Sequence, residues 1–186
     1  MLFSNTSIAL VIVIAFAALV GSLLITVALR PSEFRVARTA TVSAPPAALF
    51  AQVNDFRNWE AWNPWGKIDP AMKKTYEGAP AGVGAVYTWV GNGQVGEGRM
   101  TITESRPNDL IRIKLEFFKP FRGTNTAEFT FDPEGDQTAV TWTMTGRLAF
   151  VPKIFHLFMN MDKMIGSQFE KGLADMKAIV EGVPSR

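Results

Sequence analysis

The side chains able to do covalent chemistry are few. The chain has no cysteine and a single histidine, His156, so a Ser-His-Asp or Cys-His arrangement would have to run through that imidazole. His156 stands near the start of a long C-terminal helical pattern, among Ile154, Phe155, Leu157 and Phe158, where a helix-surface or rim position is the simpler reading. One His without Cys leaves only carboxylates as further ligands, which argues against a metal site. Gly91-Asn92-Gly93-Gln94-Val95-Gly96 fits G-x-G-x-x-G. A dinucleotide site needs a helix after that motif to hold phosphate at its N-terminus. A strand pattern follows instead, so the glycines read as a tight hairpin, with Gly96 and Gly98 clearing space inside the fold. No cofactor is expected. Strand parity turns Arg38 and Glu104 inward near strand ends, where pairing with each other or reaching solvent is favoured over contact with a ligand.

The elements that position these groups follow from hydrophobic period. Residues 34–42 alternate as a first strand. Ser43-Ala44-Pro45-Pro46 opens a short helix over 47–53, with Ser43 as its cap. Residues 54–71 form a loop rich in tryptophan. Strands are expected at 73–77, 85–91, 95–104, 110–118, 124–132 and 138–148, with Asn92-Gly93 as a type I′ hairpin turn. Their alternation is clean: Ile111, Ile113, Leu115 and Phe117 oppose Arg112, Lys114 and Glu116, and Val140, Trp142 and Met144 oppose Thr141, Thr143 and Thr145. Such a sheet is wet on one face and covered on the other. The cover is the C-terminal helix, about 152–181, whose stripe Ile154, Phe158, Met161, Ile165, Phe169, Leu173, Met176 and Val180 recurs at three- and four-residue steps. The fold class is therefore α+β, with a long helix held in the concave side of a curved antiparallel sheet.

Residues 8–29, IALVIVIAFAALVGSLLITVAL, carry no charge and no proline. At about 1.5 Å per residue they cross a hydrocarbon core of roughly 30 Å. The flank before them lacks Lys and Arg, the apolar core is long for a secretory signal, and no small-x-small cleavage site closes it. A retained helix is the expectation, giving an anchor over 1–30 and one soluble domain over 31–186. Arg30, Arg35 and Arg38 against Glu33 place that domain in the cytoplasm by the positive-inside rule. Arg30-Pro31-Ser32-Glu33 spans at most about 14 Å, so the domain sits against the lipid. Two segments, 150–159 and 117–122, are more apolar than packing requires, and surface of that kind marks a partner or membrane contact. A net charge of +2 gives no strong pull toward nucleic acid.

The inward row of Tyr87, Trp89, Met100, Phe117, Phe129, Trp142 and Met144 serves equally as a packed core or as the wall of a hollow. Residues 42–50 (VSAPPAALF), 59–65 (WEAWNPW) and 169–177 (FEKGLADMK) resemble the START-like, helix-grip superfamily (SRPBCC), and within it the polyketide cyclase/dehydrase and lipid-transport group. The resemblance runs from about residue 34 to 181. It implies an apolar cavity between sheet and helix, with Trp62, Trp65, Tyr87, Trp89, Met100, Phe117, Phe129, Trp142 and Phe158 as its lining. Together with the apolar 8–29 run, the expectation is a membrane-anchored binder of a hydrophobic, lipid-like small molecule. The alternatives are a cyclase or dehydratase using Tyr87, Arg38 or Glu104 for acid-base help, and a protein-interaction module with a filled core.

Overall fold

A computed structural model describes residues 5–148, 153–154 and 160–182. Helix α1 (Asn5–Leu29) is followed after three residues by β1 (Glu33–Val42), then α2 (Pro46–Asn54), α3 (Trp59–Trp62) and α4 (Pro64–Ile68). The meander is β2 (Lys73–Gly78), β3 (Ala85–Val90), β4 (Glu97–Arg106), β5 (Leu110–Lys119), β6 (Gly123–Glu134) and β7 (Gln137–Arg147), and α5 (Met161–Glu181) ends it. Among the described residues the seven strands form one antiparallel sheet in the order β1-β7-β6-β5-β4-β3-β2. The start of β1, the end of β7, the start of β6, the end of β5 and the start of β4 therefore lie along the same edge as the end of α1.

The period-2 pattern holds through the sheet. Ile111 and Ile113 of β5, Phe129 and Phe131 of β6, and Val140 and Trp142 of β7 are buried on the face that α5 covers. Helix α5 lays Phe169, Leu173 and Met176 into that face. It is capped by the Asn160 side chain, which accepts from the Lys163 amide at 2.9 Å, and by Gly182 at φ +68°. Its far end is tied to β1: the Ser43 amide donates to the Glu181 carboxylate at 2.7 Å and Lys177 Nζ to the Thr41 carbonyl at 2.8 Å.

Four local expectations change. The 54–71 loop carries two short helices, because Asn63 accepts from the Trp65 amide and Pro64 opens the second turn. Ser43 does not cap α2, whose cap position is Pro45. Its amide is taken by Glu181 and its hydroxyl by Gln137. Asn92-Gly93 is not a two-residue type I′ turn: positive φ falls at Gly96, and the Asn92 side chain instead accepts from the Gln94 and Val95 amides inside a longer loop. Strand β4 carries a bulge between Ile102 and Glu104, so Ile102 faces Ile113 while Glu104 faces Arg112. Glu104 thereby moves to the outer face, against the expectation that it points inward.

Helix α1 is long and apolar enough to cross a bilayer, and its side chains from Ala9 on are mostly exposed. Its exit is held to the sheet edge, where the Leu148 amide donates to the Ser32 carbonyl at 2.8 Å and Lys153 Nζ to the Arg30 carbonyl at 2.9 Å.

Candidate binding site

The covered face divides into two halves. In the half away from α1, aromatic rings meet directly. The Trp142 ring of β7 stacks on Phe169 of α5, centroids 4.1 Å apart and 9° from parallel, and on Phe129 at 4.9 Å. Trp62 and Trp65 meet Trp142 edge-on, each at 5.7 Å. Trp59 and Trp62 lie on one turn, and both donate back toward α2, Trp59 Nε1 to the Val53 carbonyl at 3.0 Å and Trp62 Nε1 to the Gln52 carbonyl at 3.3 Å. The tryptophan loop is thus pinned over the sheet, and at this level sheet and helix meet in contact. The cleft beside it, between Trp59, Glu60, Tyr76 and Tyr87, holds only about 10 Å³, at most one water. Gly172 permits the contact, since a Cβ there would stand 3.0 Å from Trp142 and 3.2 Å from Pro64.

Toward the α1 edge the core side chains are slightly more exposed. Ile111, Ile113 and Phe129 are 0% exposed, whereas Trp89, Met100 and Met144 reach 7% and Leu115 9%, and Phe117 is half-buried. These are large, soft side chains at successive inward positions of β3, β4, β5 and β7. Trp89 lies across the sheet, stacked on Tyr87 at 6.0 Å and edge-on to Phe117 at 5.7 Å, with Nε1 donating to the Val95 carbonyl at 3.2 Å. Gly98 makes that pose possible, because a Cβ there would overlap the Trp89 ring and the Glu116 carbonyl. Gly98 was expected to clear room for a guest, and the room it clears is filled by Trp89. Gly96 likewise serves the turn, at φ +67° against the Lys119 carbonyl. Phe158 and His156, with most of 150–159, lie outside the described residues.

The expected polar groups do not assemble. Arg38 points inward but does not pair with Glu104. Its Nε donates to Glu170 at 2.6 Å, and Nη1 and Nη2 to Asp162 at 3.1 and 3.0 Å. Gly166 stands between those carboxylates, buried, where a Cβ would overlap the guanidinium. Residues 162, 166 and 170 share one helix face, and that carboxylate-glycine-carboxylate spacing is a signal for a docked side chain, though not for which one. Arg38's hydrogen bonds hold the Asp162 carboxyl below its ordinary range. A depressed carboxyl adds stability above its unfolded value, about 3.9, and loses it as pH falls through the lower folded value. Acid denaturation should therefore separate wild type from Asp162→Asn at neutral pH and bring the two curves together at low pH.

Glu104 joins Arg112 and Glu128 on the outer face, with Arg112 Nη2 2.8 Å from Glu128. Burial pushes the Tyr87 phenol up to about 12, so it stays protonated at neutral pH. Its neighbour Tyr76 donates to Glu60 at 2.8 Å. That bond lowers the Glu60 carboxyl and, with burial, raises the Tyr76 phenol. Among the described residues no three His, Cys, Asp or Glu come together as a metal ligand set.

A curved seven-stranded antiparallel sheet with a C-terminal helix on its concave face defines a helix-grip, START-like α+β domain. Over residues 33–181 the chain matches the family described as polyketide cyclase / dehydrase and lipid transport, and it belongs to that family. No curated protein matches it. Similar solved structures include a Thermobifida fusca protein at 22% identity, covering 82% of this chain and 96% of that one with a TM-score of 0.61. The Aha1 dimer of Colwellia psychrerythraea is similar at 15% identity, 80% and 96% coverage and a TM-score of 0.57. The di-domain aromatase/cyclase StfQ of the steffimycin pathway is similar at 13% identity, 81% and 51% coverage and a TM-score of 0.58. At these identities the likeness is one of fold.

Proposed function

We propose that the chain is a membrane-anchored binder of a hydrophobic, lipid-like molecule, with residues 1–30 as a single-pass anchor and 31–186 as a cytoplasmic binding domain. The site is the α1-side half of the covered face, built on Trp89, Met100, Leu115, Phe117 and Met144. The supporting observation is the gradient of exposure along that face, from 0% at Ile113 and Phe129 to 7% at Met100 and Met144 and 9% at Leu115, with Phe117 half-buried at its end. A wall that opens toward the apolar helix suits a guest that arrives from lipid. Apolar burial at about 25 cal/mol per Å² supplies the driving force without covalent chemistry. The tryptophan cluster closes the far end and sets the depth. A cyclase would need an acid-base pair at the guest; Arg38 is held by α5 and Glu104 lies on the opposite face, which leaves Tyr87 as the one expected group on the covered face.

Native mass spectrometry of the detergent-extracted full chain should show a co-purifying apolar adduct. Met144→Trp fills the proposed site and should remove most of that adduct while the near-ultraviolet circular dichroism of the fold persists. A wild type that carries no adduct from any lipid extract would instead favour the filled-core interaction module, for which the stacked Trp142, Phe129 and Phe169 rings speak.

A further inference from the structure

The two ends of the sheet carry opposite charge. At the end away from α1, the turns expose Glu77, Asp109, Asp132, Glu134 and Asp136 against Arg106, which pairs with Asp109 at 2.9 Å. The α1 end exposes Lys73 at the start of β2, Lys119 and Arg122 around the β5–β6 turn, and Arg147 at the end of β7. Its acids are engaged: Glu97 with Lys119 at 2.7 Å, Glu33 with Arg147 at 3.0 Å, and Asp69, buried, with the Asn92 amide at 2.7 Å. The same end exposes large apolar side chains, Phe118 at 40%, Phe121 at 46% and Val90 at 46%. Arg99 stands 5.8 Å from the Phe118 ring centroid, pairing cation with aromatic.

We propose that this end of the sheet is a docking face for an anionic bilayer. Phe118 and Phe121 enter the interface while Lys73 and Arg122 sit at the phosphates, with Lys119 and Arg147 beside them on their carboxylate partners. The inference rests on reading α1 as a membrane span, because the hydrogen-bonded 30–32 connection then holds this end, and no other, against lipid. Aromatic side chains flanked by cations are the composition that an interfacial contact selects. The acidic far end would be repelled if it turned toward the same surface, so charge selects this orientation as well as attracting the domain. Docking sets the proposed binding face over the lipid, and a guest can pass from bilayer to protein without crossing water.

The absence of cysteine allows a clean test. Gly123→Cys places a fluorophore beside the β5–β6 turn, where a Cβ meets nothing within 4 Å, and Asp136→Cys marks the far end. Each labelled full-length chain is reconstituted into phosphatidylcholine vesicles with and without phosphatidylglycerol, and quenching by headgroup nitroxide is compared with quenching by aqueous iodide. The 123 label should be quenched from the lipid, more so with phosphatidylglycerol, and the 136 label from water. Lys73→Gln with Arg122→Gln should lower the docked-to-undocked ratio about 25-fold, roughly fivefold per cation. A 123 label open to iodide in both lipids, on protein that still floats with the vesicles, overturns docking and leaves the anchor standing. Equal lipid quenching in the two compositions overturns the requirement for anionic lipid. Protein that does not float with vesicles after detergent removal overturns the anchor itself.

Discussion

Replacing Trp142 with alanine should lower the unfolding free energy by about 3–5 kcal/mol, the range for emptying a large buried aromatic site. The indole lies at the centre of the ring cluster, 3% exposed and stacked between Phe129 and Phe169, with Trp62 and Trp65 at its edges. Those neighbours come from β6, α3, α4 and α5, so one deletion loosens every layer of the fold. Trp142→Phe provides the contrast. The Trp142 Nε1–H is buried without an acceptor among the described residues, and an unmet buried donor costs about 1–3 kcal/mol. Phenylalanine keeps much of the stacking and removes that donor, so its cost should be a small fraction of alanine's. Urea denaturation of the detergent-solubilised chain, followed by near-ultraviolet circular dichroism, measures both. An alanine variant within 1 kcal/mol of wild type, a value well below the range for such sites, would show that the cluster is not the keystone of the core.

Gly98→Val should cost about 3 kcal/mol, at the upper end of overpacking penalties. The obstacle is partly backbone: a Cβ at this position overlaps the Glu116 carbonyl of the neighbouring strand as well as the Trp89 ring. Trp89 can rotate away, whereas the carbonyl belongs to the β4–β5 ladder. The variant should therefore both destabilise the sheet and turn Trp89 out of the binding face. Loss of the co-purifying adduct should accompany a red-shift of tryptophan emission. Gly123→Val, at a site with open space around the Cβ, should do neither.

The meander was legible because each strand repeats its own period: Ile111-Ile113-Leu115 and Val140-Trp142-Met144 declare their buried side without reference to anything distant. The terminal helix was legible for the same reason from Met161 on, through Phe169, Leu173 and Met176, whereas its expected start at 152 was not: Asn160 is extended and caps the helix there. What failed was offset information. A single extra residue at Thr103 reverses the parity beyond it, and no local pattern announces a bulge that the partner strand imposes. The Arg38 clamp joins residues 132 positions apart, so sequence parity could aim the guanidinium but not choose its acceptors. The site divides in the same way. Inward identity was readable for Trp142, Met100 and Trp89 alike, while Trp62 was expected only through the family resemblance. Whether a ring faces another ring or an opening depends on how the tryptophan loop folds back, through Trp59 and Trp62 donating to α2 carbonyls.

The first strand pairs only with the last, Glu33 opposite Arg147 and Val42 opposite Thr138. During synthesis, β1 leaves the ribosome right behind the apolar helix and then waits for about a hundred further residues before its neighbour exists. At about 5–20 residues per second that interval lasts roughly 5–20 seconds. The hairpins from β2 to β6 are local and can assemble within it. Closure of the sheet thus waits for β7, with α5 still to follow, and a chain stalled before β7 leaves an unpaired strand edge that is a ready target for aggregation or for a chaperone.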